Sequence, residues 1–135
     1  MTQQNKELVL KDLCARLPDK VIVDYAYNAF DVRKGNYVKH GSKCILNCYL
    51  LDVFISPRQN EKGEYIKPYL FPLSSMTNEE KEEYCKLQQR IIYNSKGTVN
   101  EDVTKYINWC YKKHLDINNL IPMELAIDAT ELNIY

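Results

Sequence analysis

Cys110 and His114 are a cysteine–histidine pair that local spacing can bring together on a helix. They stand at i and i+4, so on a helix they share a face. A thiol beside an imidazole begins a nucleophilic site. Such a site also needs an oxyanion donor, and its members usually come from separate elements. Cys110 continues an apolar stripe, and His114 follows Lys112 and Lys113, where the negative end of a helix favours positive charge. The pattern points to packing and capping, and no residue is assigned a catalytic role. A small cysteine-dependent enzyme centred on this pair is the least favoured of three readings. The carboxylates at Glu79, Glu80, Glu82 and Glu83 cluster on a solvated helix face. No glycine-rich phosphate loop, G-x-S-x-G or H-E-x-x-H motif occurs.

Five cysteines, at 14, 44, 48, 85 and 110, form no C-x-x-C pair. The odd count and a polar start (Met1 to Asn5) without a signal core argue for free thiols and a cytoplasmic location. Cys44 and Cys48 lie four apart in a strand-like run, which would put both on one face. A structural zinc needs two more ligands, and the two histidines, His40 and His114, sit in different regions. No metal and no cofactor are expected. No apolar run approaches the ~20 residues of a membrane span.

The segment 33–43 is the most basic of the chain. Arg33, Lys34, Tyr37, Lys39, His40 and Lys43 form a candidate nucleic-acid-binding set, with cations for a phosphate backbone and a tyrosine to stack a base. A loop tip charged for solubility explains the same residues. Net charge is zero overall. Residues 1–67 hold eleven Lys/Arg and eight Asp/Glu, or +3, and residues 68–135 hold seven and ten, or −3. That mild dipole is far from the basic balance of a dedicated nucleic-acid binder.

The elements that must position these residues divide at the stretch 65–77. Pro68 and Pro72 each remove a backbone donor, which suits an edge strand or a polyproline-like run. Tyr65, Tyr69 and Phe71 in this stretch are candidate protein-contact residues. Thr77 and Glu80 read as a capping box that opens a helix over 78–93. A second helix carries Val99, Val103, Tyr106, Ile107 and Cys110. Before the hinge, Val9, Leu10, Leu13, Cys14 and Leu17 give residues 6–17 one buried face, with Asn5 as cap, Pro18 as stop, and Lys6, Lys11, Asp12 and Arg16 in solvent. Val21, Val23, Tyr25 and Tyr27 alternate as a strand, Lys34-Gly35-Asn36 is a hairpin turn, and the run from Cys44 to Ser56 reads as a further strand. Residues 57–63 read as a polar turn leading to a hairpin with 64–66. The expected fold is one α+β domain over residues 1–135. It has an N-terminal helix and a small antiparallel sheet, curled or SH3-like as a half-barrel, in residues 1–67. Two C-terminal helices and a partly ordered tail follow in residues 77–135.

Three blocks look familiar as a set. They are KELVLKDLCARLP at 6–18, IKPYLFPLSSMT at 66–77 and LAIDAT at 125–130, followed by Leu132-Asn133 and Tyr135. The pattern resembles a family of uncharacterised small hypothetical proteins of gut anaerobic bacteria, their prophages and phages. The blocks fit end to end and cover roughly a quarter of the chain. Members of that family carry no assigned activity, so no site residue transfers. A family histidine pair is here the single His114, and an Ala-Ile-Asp-Ala-Thr-Gly ending becomes Ala129-Thr130-Glu131. The resemblance implies an intracellular accessory protein of a mobile element. The preferred reading is a non-enzymatic module that binds a host or phage protein. The alternative is a nucleic-acid-binding accessory protein using the 33–43 loop.

Overall fold

The computed structural model describes residues 2–55, 65–93 and 99–135, and every structural statement refers to these. Helix α1 spans Gln3–Arg16. Its cap is Thr2, whose hydroxyl accepts from the Asn5 amide at 3.1 Å, so the helix starts earlier than the Asn5 cap expected from sequence. A 3-10 turn at Leu17–Asp19 contains Pro18, and Lys20 in the left-handed region (φ 55°) redirects the chain. Strands β1 (Ile22–Asp31) and β2 (Asn36–Ile45) pair antiparallel from Ile22↔Ile45 to Asp31↔Asn36. Their turn forms where Lys34-Gly35-Asn36 predicts it. Gly35 takes φ 67° and donates to the Asp31 carbonyl at 2.8 Å. The Asp31 carboxylate accepts from the amides of Arg33 and Lys34.

The run 44–56 is not a strand beyond Ile45. Residues Cys48–Ile55 form helix α2. Asn47 caps it, accepting from the Leu50 amide at 2.9 Å, and Leu50, Val53 and Phe54 are buried at helical spacing. Almost every residue of the run is apolar, so periods of 2 and 3.6 fit equally well, and the cap decides. Cys44 on a strand and Cys48 on a helix therefore do not share a face. The turn expected at 57–63 lies outside the described residues.

Strand β3 (Tyr65–Leu70) sits inside the sheet, not at its edge. The order is β2-β1-β3-β4, with β4 the pair Ile127–Asp128 running parallel to β3. The ladder phase explains how Pro68 is accommodated. The Leu46 amide donates to the Val21 carbonyl at 2.9 Å. By antiparallel alternation, the odd residues of β1 bond β2 and the even ones bond β3. Val23↔Pro68 is thus a non-hydrogen-bonded pair. The Pro68 nitrogen faces the β4 side, one residue ahead of Tyr69↔Ile127, where the parallel ladder begins. Neither ladder needs the missing donor.

After a 3-10 turn at Leu73–Ser75, helices α3 (Asn78–Tyr93) and α4 (Val99–Lys112) pack on each other through Tyr84, Tyr106 and Trp109. The capping box of α3 is complete. Thr77 N donates to Glu80 Oε1 at 3.0 Å, and Glu80 N donates to Thr77 Oγ1 at 3.2 Å. One core joins Val9 and Leu13 of α1, Val23 of β1, Leu50 and Phe54 of α2, and Ile66 and Leu70 of β3. The tail is more ordered than expected: it adds Leu120, Leu125 and Ala126 to that core as well as β4 to the sheet. The α+β class, with its leading helix, antiparallel β1–β2 and β1–β3 pairs and two late helices, is the one expected.

Candidate functional site

Helix α4 ends in a Schellman turn. Leu115 N donates to the Cys110 carbonyl and His114 N to the Tyr111 carbonyl, both at 3.0 Å. His114 holds the left-handed position (φ 57°) that glycine usually takes. Cys110 is fully buried, and burial pushes its thiol up to about 11 against weaker opposing effects from the Tyr106 hydrogen bond and the Arg16 charge. A nucleophilic cysteine needs the thiolate, and this environment holds the neutral thiol. Burial first, then the Arg16 charge, pulls the His114 pKa below its ordinary value, with Asp19 opposing. Its ring stacks on Tyr135 with centroids 3.8 Å apart. Its Nδ1 is buried without a hydrogen-bond partner among the described residues. Cys110 packs in the interior, and His114 terminates helix α4.

Beside it lies a polar centre that sequence reasoning placed in solvent. Asp12 and Arg16 are both buried. Arg16 Nε donates to Asp12 Oδ2 at 2.7 Å, and Nη2 donates to the Leu115 carbonyl at 2.6 Å. Asn118 Nδ2 donates to Asp12 Oδ1 at 2.8 Å, and the guanidinium lies 4.7 Å from the Tyr111 ring centroid. Each ion alone in the interior would cost several kcal/mol, but at i,i+4 the two neutralise each other. The tail satisfies part of what remains, through the Leu115 carbonyl and the Asn118 amide, while Arg16 Nη1 is buried without a hydrogen-bond partner among the described residues. The i,i+4 spacing of opposite charges was the available signal; an exposed helix pair has the same spacing, so it did not stand out. Asp116 folds the next turn by accepting from the amides of Leu120 and Ile121 at 2.7 and 2.9 Å. Tyr135 closes the arrangement. Its hydroxyl accepts from Ile22 N at 2.9 Å and donates to the Tyr69 carbonyl at 2.8 Å, sitting between β1 and β3 just past their last paired residues. A recess of about 500 Å³ here has Lys112, Lys113, His114 and Glu80 on its walls.

The β1–β2 hairpin carries exposed apolar side chains. Among the described residues, β1 pairs with β3 as far as Ala26↔Tyr65 and with β2 as far as Asp31↔Asn36, and the far end of this β1–β2 arm is the turn at 32–35. Phe30 and Tyr37 face each other near its tip, with centroids 5.4 Å apart at 74°. Both stay in solvent, at 55% and 65% exposure, and Val32 in the turn is 86% exposed. Arg33 and Lys34 are exposed beside them. Lys43 lies further back on β2, its Nζ 5.6 Å from the Tyr69 ring. Lys39 and His40 occupy ladder positions opposite Asn28 and Tyr27, and their side chains lie outside what is described. The tip thus gathers Arg33, Lys34 and Tyr37 from the basic set. It adds Phe30 and Val32, whose flanking of Asp31 just before a basic turn was the available signal.

The aromatic strip of the hinge stretch is not a free surface. Tyr69 is 5% exposed, so its ring is part of the packed sheet. Phe71 is half-buried against Tyr135 and bonded through its backbone to His114 and Asp116. The Tyr65 side chain lies outside what is described. The Pro68 register explains the difference: a strand that tolerates proline inside the sheet has neighbours on both edges.

Comparisons with protein-family models, with curated proteins and with solved structures yield no match. Among the described residues, no helix is long and apolar enough to cross a membrane. None of the described His, Cys, Asp and Glu side chains form a group of three or more suited to a metal ion.

Proposed function

We propose that this chain is a non-enzymatic interaction module that grips a protein partner with its β1–β2 arm. The observation that carries this reading is the ring pair Phe30–Tyr37 with Val32, left in solvent at the turn end of the β1–β2 hairpin. Interfaces concentrate their binding energy in aromatic and arginine anchors surrounded by polar residues, and the tip has that composition. The resemblance of the three sequence blocks supports an accessory role for a phage or mobile element, inside the bacterial cell and toward a host or phage protein. The neutral Cys110 thiol supports a role without covalent chemistry.

The test is capture from host lysate with the tagged chain, with nuclease present, comparing wild type with Phe30→Ser/Tyr37→Ser. A partner held by the tip loses about 2 kcal/mol or more of affinity per anchor, roughly a thirtyfold or greater weakening. Capture unchanged by these substitutions overturns the reading. A second reading rests on Arg33 and Lys34 standing exposed beside Tyr37: a cationic tip with a stacking ring can hold a nucleic-acid strand. It requires binding that weakens steeply with salt and disappears on Arg33→Glu/Lys34→Glu.

A further inference from the structure

The arm has a second property, in its backbone. β2 is the terminal strand of the sheet, and among the described elements only β1 packs extensively against it. The ladder phase fixed by Leu46 N to Val21 O assigns the even residues of β2 to bonds with β1. The amides and carbonyls of Tyr37, Lys39, Gly41, Lys43 and Ile45 therefore point away from the sheet. Native proteins usually shorten, bulge or cover such an edge. This one runs unbroken for ten residues without proline.

Charge decides what can pair with it. β2 carries Lys39 and Lys43 and no acidic residue, and the turn adds Arg33 and Lys34. On β1, Asp31 is engaged with turn amides, and Asp24 lies opposite Lys43. A second copy of the chain added antiparallel about Gly41 would set Lys39 against Lys43 twice, and like charges directly across a ladder destabilise it. An extended segment with alternating acidic residues meets the opposite situation, since two of them, four positions apart, would stand across from Lys39 and Lys43.

We propose that the outer edge of β2 takes an extended acidic peptide segment of the partner as an added strand. This deepens the protein-binding reading, on which it rests: main-chain bonds along β2 would supply affinity, and the lysines and the tip would supply selectivity.

The probe is a synthetic peptide of alternating glutamate and valine, titrated into the full-length chain and followed by amide NMR, with a lysine–valine peptide as control. The expected result is saturable shifts and slowed hydrogen exchange at the amides of Tyr37, Lys39, Gly41, Lys43 and Ile45 with the acidic peptide alone. Gly41→Pro removes one outward donor and no β1–β2 bond. A Cβ at this position meets nothing closer than Asp24 Oδ1 at 3.8 Å, so the fold is kept and the response should be lost. Lys39→Glu/Lys43→Glu should transfer the response to the basic peptide. An equal response to both peptides, no response at millimolar peptide, or an undiminished response in Gly41→Pro overturns the proposal. So does a chain that dimerises through β2 in solution, or one whose β2 amides shift with a single-stranded oligonucleotide instead. The outcomes separate from the broader reading: lysate capture that depends on Phe30 and Tyr37 but not on Gly41→Pro keeps the protein-binding role and removes the added strand.

Discussion

Replacing Asp12 with leucine tests the buried polar centre most directly. The carboxylate is the one anion bonded to a guanidinium that has no exposure to water. Without it, Arg16 keeps the Leu115 carbonyl and the Tyr111 ring face, but its charge is uncompensated. Removing one partner of a buried pair typically costs about 3–5 kcal/mol. For a chain of this size that is a fall in melting temperature of roughly 10–20 °C. Arg16→Met should cost a similar amount, because it leaves Asp12 with the Asn118 amide as its remaining bond. The double variant Asp12→Leu/Arg16→Met removes both charges. It leaves the Asn118 amide short of a partner, at about 1–3 kcal/mol, while the Leu115 carbonyl still accepts from Ile117 N at 3.0 Å. The double variant should therefore be more stable than either single one. Urea unfolding followed by Trp109 fluorescence, with a shifted midpoint and an unchanged slope, measures all three. A loss below about 1 kcal/mol in Asp12→Leu, or additive losses in the double variant, would refute the reasoning.

Two further outcomes follow from neighbouring groups. The His114 pKa is lowered by burial and by Arg16, so the unfolded chain takes up a proton that the folded chain resists. Stability should be level above the ordinary histidine value of about 6.5 and fall as pH drops below it. His114→Asn, which tolerates the left-handed backbone, should flatten that slope, as urea midpoints at several pH values would reveal. Tyr135→Phe deletes the hydroxyl between β1 and β3. Hydrogen exchange should then accelerate at the Ile22 amide while the Val23 amide, bonded toward β2, keeps its protection.

What was legible in the sequence was whatever a few adjacent residues decide. Thr77 and Glu80 form their reciprocal bonds as read, and Gly35 turns the hairpin where expected, because both depend on local chemistry alone. What could not be read depends on distant partners. Asp12 and Arg16 resemble a solvated helix pair until Leu115 and Asn118 arrive to bury them. Cys48 to Ile55 fits strand and helix alike, and the single oxygen of Asn47 selects the helix. Pro68 suggested an edge, whereas the phase of two ladders leaves its nitrogen with nothing to bond. At the candidate site, the basic residues were visible as a composition, and Tyr37 among them as an aromatic. That Phe30 joins Tyr37 depends on register, which no local window contains. The burial of Tyr69 was illegible for the same reason: it comes from strands on either side of it.

The bond from Arg16 to Leu115 spans 99 positions, and that from Asn118 to Asp12 spans 106. During synthesis the first helix emerges with both its charged groups destined for the interior and neither of their distal partners yet made. The full set of polar partners for this pair exists only once residues up to Asn118 have been made, and a product arrested before Leu115 lacks both the carbonyl that meets Arg16 and the amide that meets Asp12.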